Sequence, residues 1–268
     1  LVLSAASGSN VTVDYCVDAT STAVSADHSL TGACNTAAGT ATITAGQTTV
    51  NIPVTITNDS MYEATETLVV KLVNPTNATV GASSTYTLSV TDDDALPTVS
   101  FAAATSQTVD ESASAQSVAV TLSAPTGTGV TLTVALGSGT GTSGADFTTS
   151  GLSVSFPACN AAQASCTTTQ VTQNVTYTPI QDGTIEGNET VVLNLGTQTN
   201  ATFGAITTHT GTITDDDGTP QLSISNVTLT EGNAGQANAT VTVTLAGSNA
   251  TQNITVNYAT SNGTASGA

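Results

Sequence analysis

Ile180-Gln181-Asp182-Gly183-Thr184-Ile185-Glu186-Gly187-Asn188-Glu189, followed by Asp215-Asp216-Asp217, is the stretch on which this chain turns. The same signature stands 123 residues upstream, where Met61-Tyr62-Glu63-Ala64-Thr65-Glu66 precedes Asp92-Asp93-Asp94. A repeat of that length is one small domain copied in tandem. Acidic groups that return in each copy point to one oxygen-rich site built repeatedly. The spacing divides the chain into units at 1–94, 95–217 and 218–268.

Inside a unit the pattern is that of strands. Leu132, Val134 and Leu136 alternate with Thr131, Thr133 and Ala135. Val241, Val243 and Leu245 alternate with Thr240, Thr242 and Thr244, and Ile254, Val256 and Tyr258 with Asn253, Thr255 and Asn257. Such alternation marks strands with one buried face. Gly, Pro and Asn clusters interrupt these runs about every ten residues. No stretch reads as a three-turn helix. About seven short strands per unit predict an all-β chain of tandem immunoglobulin-like antiparallel β-sandwiches.

Composition excludes several function classes. Lys and Arg together count 1 against 19 Asp and Glu, a net charge of −18. Such a surface repels nucleic acid and anionic lipid, so neither is an expected partner. It also repels itself unless cations intervene. Thr and Ser number 57 and 27, and hydrophobic residues make up 38%, which is unlike a disordered chain. No apolar run approaches the length of a membrane span. The chain opens on Leu1 rather than Met, the expectation for a processed product or a piece of something longer.

The four cysteines form two local pairs, Cys16 with Cys34 and Cys159 with Cys166. Neither has metal-type spacing, so disulfides closing surface loops are expected, in an oxidising compartment outside the cytoplasm. Asn-x-Ser/Thr occurs at 11 of the 18 Asn, which makes glycans a candidate modification. The alternative is that Thr follows Asn often in Thr-rich turns.

The middle unit carries a family resemblance. It runs from Pro97-Thr98-Val99-Ser100-Phe101 through Val109-Asp110-Glu111, Gly144-Ala145-Asp146-Phe147 and the acidic turn at 180–189 to Thr214-Asp215-Asp216-Asp217. This resembles the Calx-beta domain, the repeat of sodium/calcium exchanger regulatory loops, some integrin subunits and large bacterial surface proteins. The resemblance spans the whole chain. Ser112 stands where a Gly usually follows the first Glu, and Glu231-Gly232 restores that pair in the third unit.

The resemblance implies a seven-stranded sandwich with calcium at one end. Its ligands, carried onto this chain, are Glu111, Asp146, Asp182, Glu186, Asp215, Asp216 and Asp217. The first unit supplies Asp27, Asp59, Glu63, Asp92, Asp93 and Asp94, and the third supplies Glu231. Calcium takes six to eight hard oxygens from several loops, and seven carboxylates at one end are untenable without a cation. Gln181 and Gly183 interrupt what is a longer acidic run in the exchanger, so one ion per unit is expected.

Both ends are incomplete as sandwiches. Residues 1–94 lack an opening strand and its Glu, and residues 218–268 hold that strand and Glu231 but little more. Each end is expected to be completed by other protein: continuing repeats of the chain, or a second copy that adds strands head to tail. An enzyme is not expected. His28 and His209, the only histidines, are read as surface residues, and acids that recur in every unit are poor candidates for catalysis. Lys71 alternates with Leu68, Val70 and Leu72 and is read as outward-facing, not as a crosslinking lysine. The reading is an extracellular structural protein, a calcium-rigidified rod or filament at the cell surface. The alternatives are the stalk of a large adhesin and a calcium-responsive regulatory module.

Overall fold

A computed structural model of the chain describes residues 1–159, 171–247, 249–250, 253–261 and 263–264. Among these residues every regular element is a strand. The middle unit holds β5 (Thr98–Phe101), β6 (Thr105–Asp110), β7 (Gln116–Leu122), β8 (Val130–Leu136), β9 (Phe147–Ser150), β10 (Ser153–Phe156), β11 (Thr172–Pro179), β12 (Thr184–Ile185), β13 (Glu189–Thr199), β14 (Thr202–Phe203) and β15 (Thr208–Thr214). Two five-stranded sheets form, in the orders β10-β8-β13-β15-β6 and β14-β5-β7-β11-β9. Most pairs are antiparallel. The exceptions are β6 beside β15 and β14 beside β5, which run parallel and seal one edge of each sheet.

The alternation places the core. Val118, Val120 and Leu122 of β7 face inward, as do Val130, Leu132 and Val134 of β8, and their Thr neighbours face out. Val120, Val130, Val175 and Leu193 have no exposed surface, and each such burial contributes about 1.5–3 kcal/mol over leaving the side chain in water. His209 does not sit on the surface, as its Thr-rich neighbourhood predicts. It is 2% exposed, because β15 buries every second residue and His209 shares that face with Ile213. Its Nδ1 lies 2.8 Å from the Ala103 carbonyl and its ring 5.8 Å from that of Phe101. His28 is buried too, in the place that Phe147 fills in the middle unit.

The first unit is one sheet, β2-β1-β3-β4, of β1 (Val11–Val17), β2 (Gly39–Ile43), β3 (Glu66–Thr76) and β4 (Thr85–Val90). A disulfide joins Cys16 in β1 to Cys34. Cys159 is buried, and its expected partner Cys166 lies outside the described residues. Lys71 of β3 is partly exposed, with its Nζ 3.7 Å from Asp18. Facing the sheet, residues 49–56 run extended with only isolated bridges, Val2 to Thr49 and His28 to Ile56. Strand β4 is the 123-residue counterpart of β15, yet among the described residues no strand pairs its outer side. Its Tyr86, the counterpart of His209, is 68% exposed. Beside it opens a cavity of about 520 Å³ lined by Leu1, Ile52, Val54, Val70, Leu72 and Tyr86.

The third unit repeats the opening hairpin of the second. Strands β16 (Gln221–Ile224) and β17 (Val243–Ala246) pair Leu222 with Leu245 and Ile224 with Val243, as β5 and β7 pair Val99 with Leu122 and Phe101 with Val120. The apolar face is bare: Ile224 is 67% exposed, where Phe101 is 1%. Residues 253–258 alternate as a strand should but form none. Their counterpart β8 is flanked by β10 and β13, which have no equivalents in residues 218–268. A short strand β18 (Asn249–Ala250) runs parallel to β12 of the middle unit.

Candidate metal centre

The acidic turn folds on its own carboxylates. In the middle unit Asp182 accepts the Thr184 amide at 2.6 Å. One oxygen of Asp215 accepts the Glu186 amide at 2.9 Å and the other the Asp217 amide at 3.0 Å. The first unit repeats each bond: Asp59 accepts Met61, and Asp92 accepts both Glu63 and Asp94. Asp146 and Asp27 each accept a backbone amide from the loop just before them, Thr142 and Val24. Such side-chain to backbone bonds, local within each turn and reaching across 29 residues from Asp215 to Glu186 and from Asp92 to Glu63, fix the turn and aim the remaining oxygens.

Those oxygens gather in three groups. Glu111, Asp182 and Asp217 form one, Asp146, Glu186 and Glu189 a second, and Asp27, Glu63 and Glu66 a third. Within each group one carboxylate oxygen per residue lies within 4.8 Å of the others. Oxygens on opposite sides of a calcium ion lie about 5 Å apart, given ligand distances of 2.3–2.6 Å. The middle unit thus carries two groupings, where one ion was expected.

Glu111 is the telling member. It is 8% exposed, and its Oε2 is buried without a hydrogen-bond partner. Burial raises its pKa to about 7, helped by the negative charges of Asp215, Asp182, Asp217 and Asp216. Glu189 is raised to about 7 by burial and by its hydrogen bond to Asp146, and Glu66 likewise by burial and Asp27. Glu186, Glu63 and Asp94 are raised too, first by burial and then by their acidic neighbours. An unpartnered buried carboxylate inside a ring of like charges fits a hard cation.

The expected residues divide by role. Glu111, Asp146, Asp182, Glu186, Asp217, Asp27 and Glu63 belong to the groups. Asp215, Asp92 and Asp59 pin the backbone of the turns. Asp93 and Asp216 are exposed, and Asp216 accepts the Gln181 side chain at 3.0 Å. Asp94 lines a cavity of about 370 Å³ with Asp27, Asp59, Glu63 and Glu66. Glu231 is exposed and joins no group among the described residues. Sequence reasoning passed over Glu66 and Glu189. Both follow the turn glutamate by three residues in the same repeated motif, which was the available signal.

The Calx-beta domain model matches three times, over residues 4–94, 92–217 and 214–268. Among solved structures, the apo-form Calx CBD1 domain is 21% identical, covers 46% of this chain and 100% of its own, and has a TM-score of 0.39. CBD12 from CALX1.2 is 12% identical, covers 78% of this chain and 90% of its own, and has a TM-score of 0.37. A search of curated protein sequences finds no match. With its whole length taken up by three successive matches, the chain belongs to the Calx-beta domain family.

Proposed function

We propose that the chain is an extracellular structural protein, a rod or filament of Calx-beta units joined head to tail and rigidified by calcium. The carrying observation is the repeated acid grouping with the buried, unpartnered Oε2 of Glu111. Calcium would be held by Glu111, Asp182 and Asp217 and by Asp146, Glu186 and Glu189, with Asp27, Glu63 and Glu66 repeating the second set. Bound there, it supplies the positive charge that lets these carboxylates ionise together. The Cys16–Cys34 disulfide supports an extracellular setting, and no helix among the described residues is long and apolar enough to cross a membrane.

The incomplete ends supply the head-to-tail part. An opening hairpin like β16–β17, from a continuing repeat or a second copy, would cover the open face of the first unit. By the 123-residue register, Ile224 would then lie over Tyr86 as Phe101 lies against His209. Several large apolar side chains would be buried at about 1.5–3 kcal/mol each. Glu231 would approach Asp92, Asp93 and Asp94 and complete a grouping like that of Glu111.

Electron microscopy of the purified chain in calcium, and again in excess chelator, tests the reading. End-to-end strings or rods of one width in calcium, shortened or bent in chelator, are expected. Compact single particles of unchanged shape in both conditions would overturn it.

A further inference from the structure

The units of this chain touch through the same pair of segments at both junctions. At the first, the Tyr62 carbonyl accepts the Thr126 hydroxyl at 2.8 Å and the Gly127 amide at 2.8 Å. At the second, Thr184 pairs with Asn249 and Ile185 with Ala250. Residue 62 becomes 185 and residue 127 becomes 250 by the one offset of 123. A contact kept in register through a repeat is a built joint, not a chance touch between neighbours.

The receiving loop is preorganised. Thr126 is 1% exposed, and its Oγ1 accepts the Thr128 amide at 3.2 Å while its carbonyl accepts the Cys159 amide at 2.8 Å. Ser7-Gly8 holds the equivalent place in the first unit. There the Ser9 amide donates to Ser7 Oγ at 3.1 Å, and the Gly46 amide to the Ser7 carbonyl at 2.8 Å. So the loop takes this shape with or without a unit docked on it. The difference lies at the glycine. A Cβ on Gly127 would lie 2.6 Å from Glu63 Cγ and 2.8 Å from its Oε1, whereas one on Gly8 would meet nothing within 4 Å.

We infer that the Thr126-Gly127 loop is a dedicated receptor for the Tyr62-Glu63 turn of the preceding unit, and that Ser7-Gly8 offers the same receptor to the turn of a further Calx-beta unit. The hydroxyl and the amide grip one carbonyl, and the missing side chain lets the turn glutamate lie against the loop. Asn249 and Ala250 stand at the second junction where the first has Thr126 and Gly127, so what the two junctions share is the backbone register of turn against loop, and this register sets each unit on the next through the same segments. The turn that enters the receptor is the one that carries Glu63. This inference deepens the rod reading and rests on it for its biological sense, but the joint itself can be measured separately.

Amide hydrogen exchange on the intact 268-residue chain, kept dilute enough to be monomeric so that no other copy fills Ser7-Gly8, reads it directly, with Gly8 as the internal comparison for Gly127. After correction for intrinsic rates, Gly127 is expected to exchange at least about tenfold more slowly than Gly8, as a hydrogen-bonded amide does beside a free one. In Thr126→Val and Gly127→Val, protection at 126–128 and at 61–63 should fall, while β8 and β13 keep theirs. Gly8→Val should change nothing at 126–128. Equal exchange of Gly127 and Gly8 in the unaltered monomeric chain would overturn the joint, whatever electron microscopy shows of rods at higher concentration. So would undiminished protection at 126–128 in folded Gly127→Val protein.

Discussion

At the scale of the residue, the chemistry is that of carboxylates packed closer than water would allow. The folded-state pKa of Glu111, Glu66 and Glu189 stands at about 7, above the ordinary value of 4.5. A raised pKa means that the folded chain holds protons the unfolded chain has released. The stability they contribute is therefore complete below about pH 4.5 and is lost as pH rises through about 7. In chelator, the melting temperature is expected to fall between pH 5 and 8. In calcium that slope should flatten, because the ion replaces the protons. A metal-free chain that gains stability across the same range would contradict the arrangement of these acids. Residue geometry also qualifies the sequons. Asn77 and Asn200 have φ of 58° and 56°, in the left-handed region that Asn tolerates better than most residues. Their side chains donate to the carbonyls of Asn10 and Gly129, so a turn already explains both.

At the scale of the element, strand order follows from alternation, and the departures have physical causes. The runs at 131–136 and 240–245 state plainly which face is apolar; in β8 that face is buried, and in β17 (Val243–Ala246) it is bare. The run at 253–258 is as clear, yet a strand needs neighbours as well as a pattern, and residues 218–268 contain no equivalents of β10 and β13. His209 was misread because a histidine among threonines looks polar, while its place in β15 was set by period two and by the Ala103 carbonyl above it. The acid turns were legible as a motif, but their division into two groups was not. Which carboxylate turns inward depends on which amide has claimed its neighbour, as with Asp215 and Asp217. The disulfide of the first unit has its own measurable worth. Cys16 and Cys34 lie 18 residues apart across the turn-rich segment that follows β1. Replacing both with Ala is expected to lower the stability of the first unit by about 3 kcal/mol, from loop entropy. Urea unfolding checks this, and an unchanged midpoint would mean that the sheet alone holds the segment.

At the scale of the whole molecule, the described residues form a two-sheet sandwich in the middle unit, with a four-stranded sheet before it and the two-stranded β16–β17 sheet after it. Among the described residues, an acid grouping that includes a buried glutamate occurs in the middle unit alone. Of the 19 acidic residues behind the net charge of −18 only Glu231 lies in the third unit, so the like charges gather in the first two units, where a cation would offset them. The repeated joint sets those charges beside the next unit. Differential scanning calorimetry of the chain at pH 7.5, in calcium and in excess chelator, tests the central claim most directly. At calcium one hundred times its Kd, a single site contributes about 2.7 kcal/mol, so the middle unit should melt several degrees higher than in chelator. Glu111→Gln, which keeps the shape and removes the charge, should lose much of that gain and melt no lower than the unaltered chain in chelator. Superimposable curves in calcium and in chelator would contradict the account.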